Sequence, residues 1–330
     1  MNLPLLSAAF AAMALISYVV LDGFDLGVGI LLFFEKAKAS RDHMIDSITP
    51  TWDGNETWLI MAGVMLLACF PIAYGILMPA LYLPVIVMLL SLGLRGVSFE
   101  FRVQSKEHRQ FWDRVFASGS AVAAFMQGII LGSLLNGVKT DGIRFAGSVT
   151  DIFRPLPLLS GLTLVVGYTV LGGSWLRFKA NASIQHFASK QVRLGSMAFS
   201  ILFCVACFYA SRVTPEIAGA WAAHPLVLSL LSCVFLFLSG CLVVAARKTR
   251  PLLPFALSVS QFVVGMAGIA TIVYPNIVPF RLSLWDAAAS NSSQVFVLIG
   301  VAIVAPVVIA YSGFAYWIFR GKTPAKGWEA

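Results

Sequence analysis

The chain has 330 residues, 59% of them apolar types and only 12% charged, with a mean hydropathy of +0.86. A soluble domain carries about 25% charged residues, so the composition excludes a soluble enzyme and points to an all-α, polytopic integral membrane protein. The net charge of +8 does not indicate nucleic acid, because the basic residues fall in short segments between apolar runs.

Those runs are helix-length, unlike the alternating segments of about ten residues in an outer-membrane barrel. Residues 1–20 lack the basic start and cleavage pattern of a signal peptide, so the first run is expected to stay as a span. Nine transmembrane helices are predicted, at about 5–34, 55–75, 78–98, 115–137, 156–177, 194–212, 224–246, 252–275 and 294–319. Pro71, Pro79 and Pro84 crowd the second link and leave a kinked or re-entrant pair open. Pro306 predicts a kink in the last span. With nine spans, five basic residues fall on the side of the N-terminus and eighteen on the other, accounting for all 23. The positive-inside rule then puts the N-terminus outside and the C-terminus in the cytoplasm. Cys69, Cys204, Cys207, Cys233 and Cys241 all fall in apolar runs and are expected to be buried thiols, not a disulfide frame.

The first span carries Asp22-Gly23-Phe24-Asp25-Leu26-Gly27-Val28-Gly29. Asp25 precedes Glu35, the first charge beyond the run, by ten residues, or about 15 Å of helix. Two carboxyls are therefore predicted near mid-membrane depth. An Asp there costs on the order of 3 kcal/mol unless it faces protein or a cavity. Three residues apart, Asp22 and Asp25 point broadly the same way, so a retained proton is expected. Gly23 and Gly27 let another helix approach closely.

The first cytoplasmic loop ends in Trp52-Asp53-Gly54-Asn55-Glu56-Thr57-Trp58. Asp53 and Glu56 match the spacing of a reciprocal helix cap, and Trp52 and Trp58 suit the interfacial belt. The same two carboxyls can extend an acidic path toward Asp25 and Asp22. Arg95, just inside the third span, either snorkels to the surface or turns inward to hold a carboxylate. Glu100 is the fifth acidic group near this entrance. Lys106 to Arg114 reads as an ordinary charged loop. Gln127 in the fourth span suggests an interhelical hydrogen bond, and Gly161, Gly167, Gly172 and Gly173 a close-packing face on the fifth. The segment from Pro275 to Asp286 reads as an ordered external loop and a candidate docking or quinone-side surface. Asn291 or Ser292 is the predicted cap of the last helix.

His43, His108, His186 and His224 fall in loops or at span edges, whereas a multi-haem cytochrome b needs mid-span His on facing helices. No nucleotide, hydrolase or zinc motif is present. The chain therefore carries a proton-handling site and no visible catalytic centre.

Taken together, the motifs Asp22–Gly29, Trp52–Trp58 and Arg95–Arg102, with Tyr274–Pro279 and Leu284–Trp285–Asp286, resemble subunit II of the cytochrome bd-type quinol oxidases, in the same order from first span to last. The resemblance implies a heterodimer with a haem-bearing subunit I that oxidises quinol and reduces dioxygen to water. Two b-type haems and one d-type haem lie in subunit I. Small single-span accessory subunits often join, and some members hold a structural quinone in subunit II. The implied fold is two four-helix bundles plus one peripheral helix, placed here at 1–150, 151–280 and 281–330. Asp25 and Asp53 match positions assigned to a proton route from the cytoplasm, with Arg95 and Glu100 beside it. On this reading Asp53 and Glu56 gather protons, Asp25 and Asp22 relay them, and Arg95 anchors the carboxylates. Glu56 stands where many relatives have Gln, and Glu100 where relatives can have Asp. The short external loops resemble the cyanide-insensitive branch, where a b-type haem can replace haem d. The expected location is the bacterial inner membrane, among lipids. A proton-coupled secondary transporter and a purely structural assembly subunit are the other classes these residues suit.

Overall fold

The computed structural model describes residues 2–105, 107–248 and 250–324; Lys106 and Lys326, two of the eighteen basic residues counted above, lie outside them. The described helices are α1 (Leu3–Leu31), α2 (Lys38–Asp46), α3 (Trp52–Cys69), α4 (Pro71–Gln104), α5 (Arg109–Leu135), α6 (Pro155–Lys179), α7 (Ala182–Val213), α8 (Pro215–Ala223), α9 (Pro225–Ala245), α10 (Leu252–Val273) and α11 (Asn291–Ile318). Proline opens α4, α6, α8 and α9, where its missing N–H costs no helical bond. Asn2 caps α1 by accepting from the Leu5 N–H, and Asn181 caps α7 by accepting from the Ile184 N–H. Ser290 caps α11, in place of the predicted Asn291 or Ser292; its hydroxyl reaches the Ser293 N–H.

Among the described residues, eight helices are long and apolar enough to cross a membrane: α1, α4, α5, α6, α7, α9, α10 and α11. That is one fewer than the predicted nine. The remaining long helix, α3, has 18 residues and opens with the polar run Asp53–Thr57. The predicted span 55–75 is divided at Phe70, whose backbone (φ −135°, ψ 59°) ends α3 before Pro71 begins α4. Pro79 and Pro84 lie inside α4, which continues through them for 34 residues. The chain breaks where a proline can start a helix. α11 likewise continues through Pro306.

α1 is central, packing on α3, α5 and α6, while α4 pairs with α5, α6 with α7, and α9 with α10. α11 leans on α3 and α1. The predicted glycine contact on α1 is made with α6: a Cβ on Gly27 would stand 1.8 Å from the Tyr168 carbonyl oxygen, and one on Gly172 would stand 2.3 Å from the Gly27 carbonyl carbon. Such spacing lets the two backbones touch. Leu226, Phe237 and Phe296 stand exposed on the outer surface, as suits a face turned to lipid.

Some expectations are corrected. Only Cys69 is fully buried; Cys204 and Cys233 are exposed, because they fall on the outward stripes of α7 and α9. All five thiols are free. Trp58 is buried against Ala14 and Tyr18 and does not stand on the outer surface. The first loop contains α2, a short helix that buries His43, Met44 and Ile45. The loop after α10 is an ordered hairpin, with Asn276 opposite Ser283 and Val278 opposite Leu282. Its continuation ties to two helix ends: Trp285 Nε1 donates to Asn2 Oδ1 at 3.3 Å, and the Ala289 N–H to the Cys69 carbonyl at 2.8 Å.

Candidate functional site

Asp25 lies six residues before the end of α1, about 9 Å along the axis, and faces the first turns of α3. Asp22 and Asp25 are both fully buried, yet they take different partners. Arg95 turns inward from α4, and its side chain is 1% exposed. Its Nη1 donates to Asp22 Oδ1 at 2.7 Å. Its Nη2 stands 2.8 Å from Glu56 Oε1 of α3, an ion pair that lacks hydrogen-bond geometry. The guanidinium also lies 5.7 Å from the centre of the Trp52 ring, which stacks on Phe99. Snorkelling is thus replaced by a buried pair, because two carboxyls offset the desolvation of the cation. Gly119 of α5 makes room for this turn of α4: a Cβ there would stand 2.8 Å from the Ser91 carbonyl oxygen.

Asp25 is held by Asn55, a residue of the second motif to which the sequence reading gave no role. Asn55 Nδ2 donates to Asp25 Oδ2 at 2.7 Å and to the Leu21 carbonyl at 3.3 Å. The Tyr316 hydroxyl of α11 donates to Asn55 Oδ1 at 2.9 Å. No sequence signal joins Tyr316 to a residue so far back in the chain. Asp22 Oδ2 and Asp25 Oδ1 are buried without a hydrogen-bond partner among the described residues. Glu56, at 28% side-chain exposure, is the member nearest the surface. Two carboxylates, Asp22 and Glu56, thus share the one guanidinium, while Asp25 lies beside them with the Asn55 amide as its partner.

Asp53 and Glu100 are exposed and make no ion pair among the described residues, so they stand outside the cluster. The predicted reciprocal cap does not form: Thr51 is the N-cap of α3, without a side-chain cap bond, and Arg95 draws Glu56 inward. The segment read as an ordinary charged loop contributes to a second network. Arg41 Nε and Arg102 Nε donate to the two oxygens of Asp113 at 2.9 and 2.6 Å. Arg102 also pairs with Asp42, and Arg109 stands 3.6 Å from it. This network pins α2 against α4 and α5.

The mid-span Gln127 makes the predicted interhelical bonds. The Tyr168 hydroxyl donates to Gln127 Oε1 at 2.7 Å, and Gln127 Nε2 donates to the Tyr18 hydroxyl oxygen at 2.8 Å. These three groups, with Phe199, Phe235 and Gln261, line an apolar cavity of about 310 Å³. Gln127→Leu takes the Gln127 partner from both hydroxyls, leaving Tyr18 its contact with Asp22, and is expected to cost about 1–3 kcal/mol, read as a lower thermal midpoint of the purified protein.

His43 is buried in α2, where burial alone pushes its imidazole below the ordinary value. His108 and His224 stand at the starts of α5 and α9, and His186 is exposed on α7. Among the described residues, no group of three or more His, Cys, Asp or Glu could hold a metal ion. None of these four positions is a mid-span histidine of the kind that ligates a membrane haem.

Residues 3–319 match the family described as cytochrome bd terminal oxidase subunit II. The chain is similar to a probable cytochrome oxidase subunit 2 of Haemophilus influenzae, with 28% identity over 94% of this chain and 92% of the relative. It is also similar to cytochrome bd-I ubiquinol oxidase subunit 2 of Escherichia coli K12, with 27% identity over 93% and 92%. Its fold matches a chain of the bd oxidase from Geobacillus thermodenitrificans with a TM-score of 0.79, over 97% of this chain and 99% of that one, at 16% identity.

Proposed function

Because the chain belongs to the cytochrome bd terminal oxidase subunit II family, we propose that it is the haem-free membrane subunit of a quinol:dioxygen oxidoreductase. It supports assembly of the haem-bearing subunit I and carries protons toward it from the cytoplasm. The observation that carries the proton role is the buried set Asp22, Asp25 and Arg95, joined through Arg95 to the partly exposed Glu56. Glu56 is the way in, with Asp53 and Glu100 collecting protons outside it. Arg95 holds Asp22 and Glu56 in place. Asp25, which has an amide partner in place of a cation, receives the proton and passes it on.

This reading takes α3 as a ninth span, with the N-terminus outside and the C-terminus in the cytoplasm of a bacterium. It divides the chain into bundles at 1–150 and 151–280 and a peripheral helix from 281. The two b-type haems, and a d-type or b-type haem at the oxygen site, belong to subunit I, with a small single-span subunit beside the pair. Ubiquinol is the proposed electron donor, by similarity to the cytochrome bd-I ubiquinol oxidase subunit of Escherichia coli. A structural quinone suits the cavity under Tyr18, Gln127 and Tyr168, which pairs apolar walls with a few convergent polar groups.

Asp25→Asn tests the proton role. It keeps the side-chain volume but can no longer take a proton. Oxidase turnover of the purified complex is expected to fall at least about tenfold at full haem content. Unchanged turnover at full haem content rules out the route; loss of haem instead makes Asp25 a structural residue.

A further inference from the structure

A second cavity, also of about 310 Å³, opens where α6 meets α7 and α9 approaches α10. Arg177, His186, Arg247, Lys248 and Lys322 line it, and no carboxylate does. Among the described residues, none of these Arg and Lys side chains makes an ion pair. Arg177 forms the buried floor. Its Nη1 donates to the Ala246 carbonyl and the Ser189 hydroxyl, and its Nη2 to the Lys248 carbonyl at 2.6 Å. Its Nε is buried with no hydrogen-bond partner among the described residues. The guanidinium therefore fixes the end of α9, and no carboxylate among the described residues pairs with it. Gln185, also in the wall, stiffens the other side by donating to the Arg177 and Ala180 carbonyls at 3.0 and 3.1 Å. Four permanent cations around one polar cavity repel one another unless an anion joins them.

Apolar surface lies directly beside these charges. Val244, Leu252 and Leu253 are exposed on the adjoining ends of α9 and α10. We propose that this pocket binds a phosphoryl group, supplied by the headgroup of an anionic phospholipid whose acyl chains lie along Val244, Leu252 and Leu253. Basic pockets between helix ends suit such headgroups, and arginine matches phosphate oxygens in geometry as well as charge. Free phosphate shares the headgroup chemistry but would leave the apolar skirt unused.

The test is native mass spectrometry of the assembled complex, delipidated and then titrated separately with phosphatidylglycerol, phosphatidylcholine and inorganic phosphate. The variant Arg247→Ser/Lys248→Ser/Lys322→Ser changes only exposed side chains, and its haem spectrum reports assembly. Wild type is expected to retain phosphatidylglycerol in preference to phosphatidylcholine, and the variant to bind it on the order of 100-fold more weakly. Variant-sensitive binding of inorganic phosphate without a preference for phosphatidylglycerol supports the phosphoryl site and overturns its lipid source. Equal binding by wild type and variant in every arm overturns the site itself. Should the triple variant not assemble, Arg247→Ser alone gives the same comparison, with a loss of roughly fivefold.

Discussion

Arg95→Met is expected to destabilise the assembled complex by about 3–5 kcal/mol, the range for removing one partner of a buried ion pair. The size follows from what is left behind. Asp22 is fully buried and loses its hydrogen-bonded cation, and Glu56 loses the charge that draws it inward. The loss should appear as a lower yield of haem-containing complex and a lower thermal midpoint of the haem absorbance. Adding Asp22→Asn to Arg95→Met should recover part of the loss, because the orphaned carboxylate is then neutral. If Arg95→Met matches wild type in yield and midpoint, the buried pair is not what holds α1 and α4 together. Arg95→Lys keeps the charge but not the two-pronged reach, and should fall between the two.

Gly27→Ala should be nearly as damaging, although it adds a single methyl group. Its Cβ would stand 1.8 Å from the Tyr168 carbonyl oxygen, so one backbone must move. Overpacking of this kind costs about 3 kcal/mol, and more where no flexible side chain can give way. Separating α1 from α6 also disturbs the helix that presents Asp22 and Asp25. The control is Gly63→Ala in α3, whose Cβ meets nothing within 4 Å. That change should be neutral or stabilise the helix by about 0.5–1 kcal/mol. Both variants can be ranked by the thermal midpoint of the purified complex. Equal midpoints would contradict the close contact between α1 and α6.

Much of this arrangement was legible in the chain. Apolar runs of spanning length predict nine spans, of which eight correspond to helices long and apolar enough to cross a membrane among the described residues, and Asp22, Asp25 and Arg95 stand out because charge inside such a run needs a partner. The pair Gly23 and Gly27 announced a close neighbour without saying which helix it was. The remainder depends on tertiary choices that local patterns do not encode. Whether Arg95 snorkels or turns inward is decided by Asp22 and Glu56, which lie on two other helices. The break at Phe70 was hidden because three prolines crowd one segment, and only Pro71 stands where it starts a helix. α2 is too short and polar to show as an apolar run, so nothing in the sequence pairs Asp113, in the segment that reads as loop charge, with Arg41 and Arg102. Asp53 and Glu56 fitted a cap by spacing, but the pull of Arg95 on Glu56 outweighs a local bond.

Proton transfer through Asp25 is the claim on which the functional account stands. It is tested most directly by side-resolved proton uptake during a single turnover with dioxygen, in proteoliposomes holding wild-type or Asp25→Asn complex of equal haem content. Wild type should take up protons from the side bearing Glu56, and Asp25→Asn should slow that uptake at least about tenfold while haem reduction by quinol stays intact. Uptake from that side at the same rate in both would contradict it.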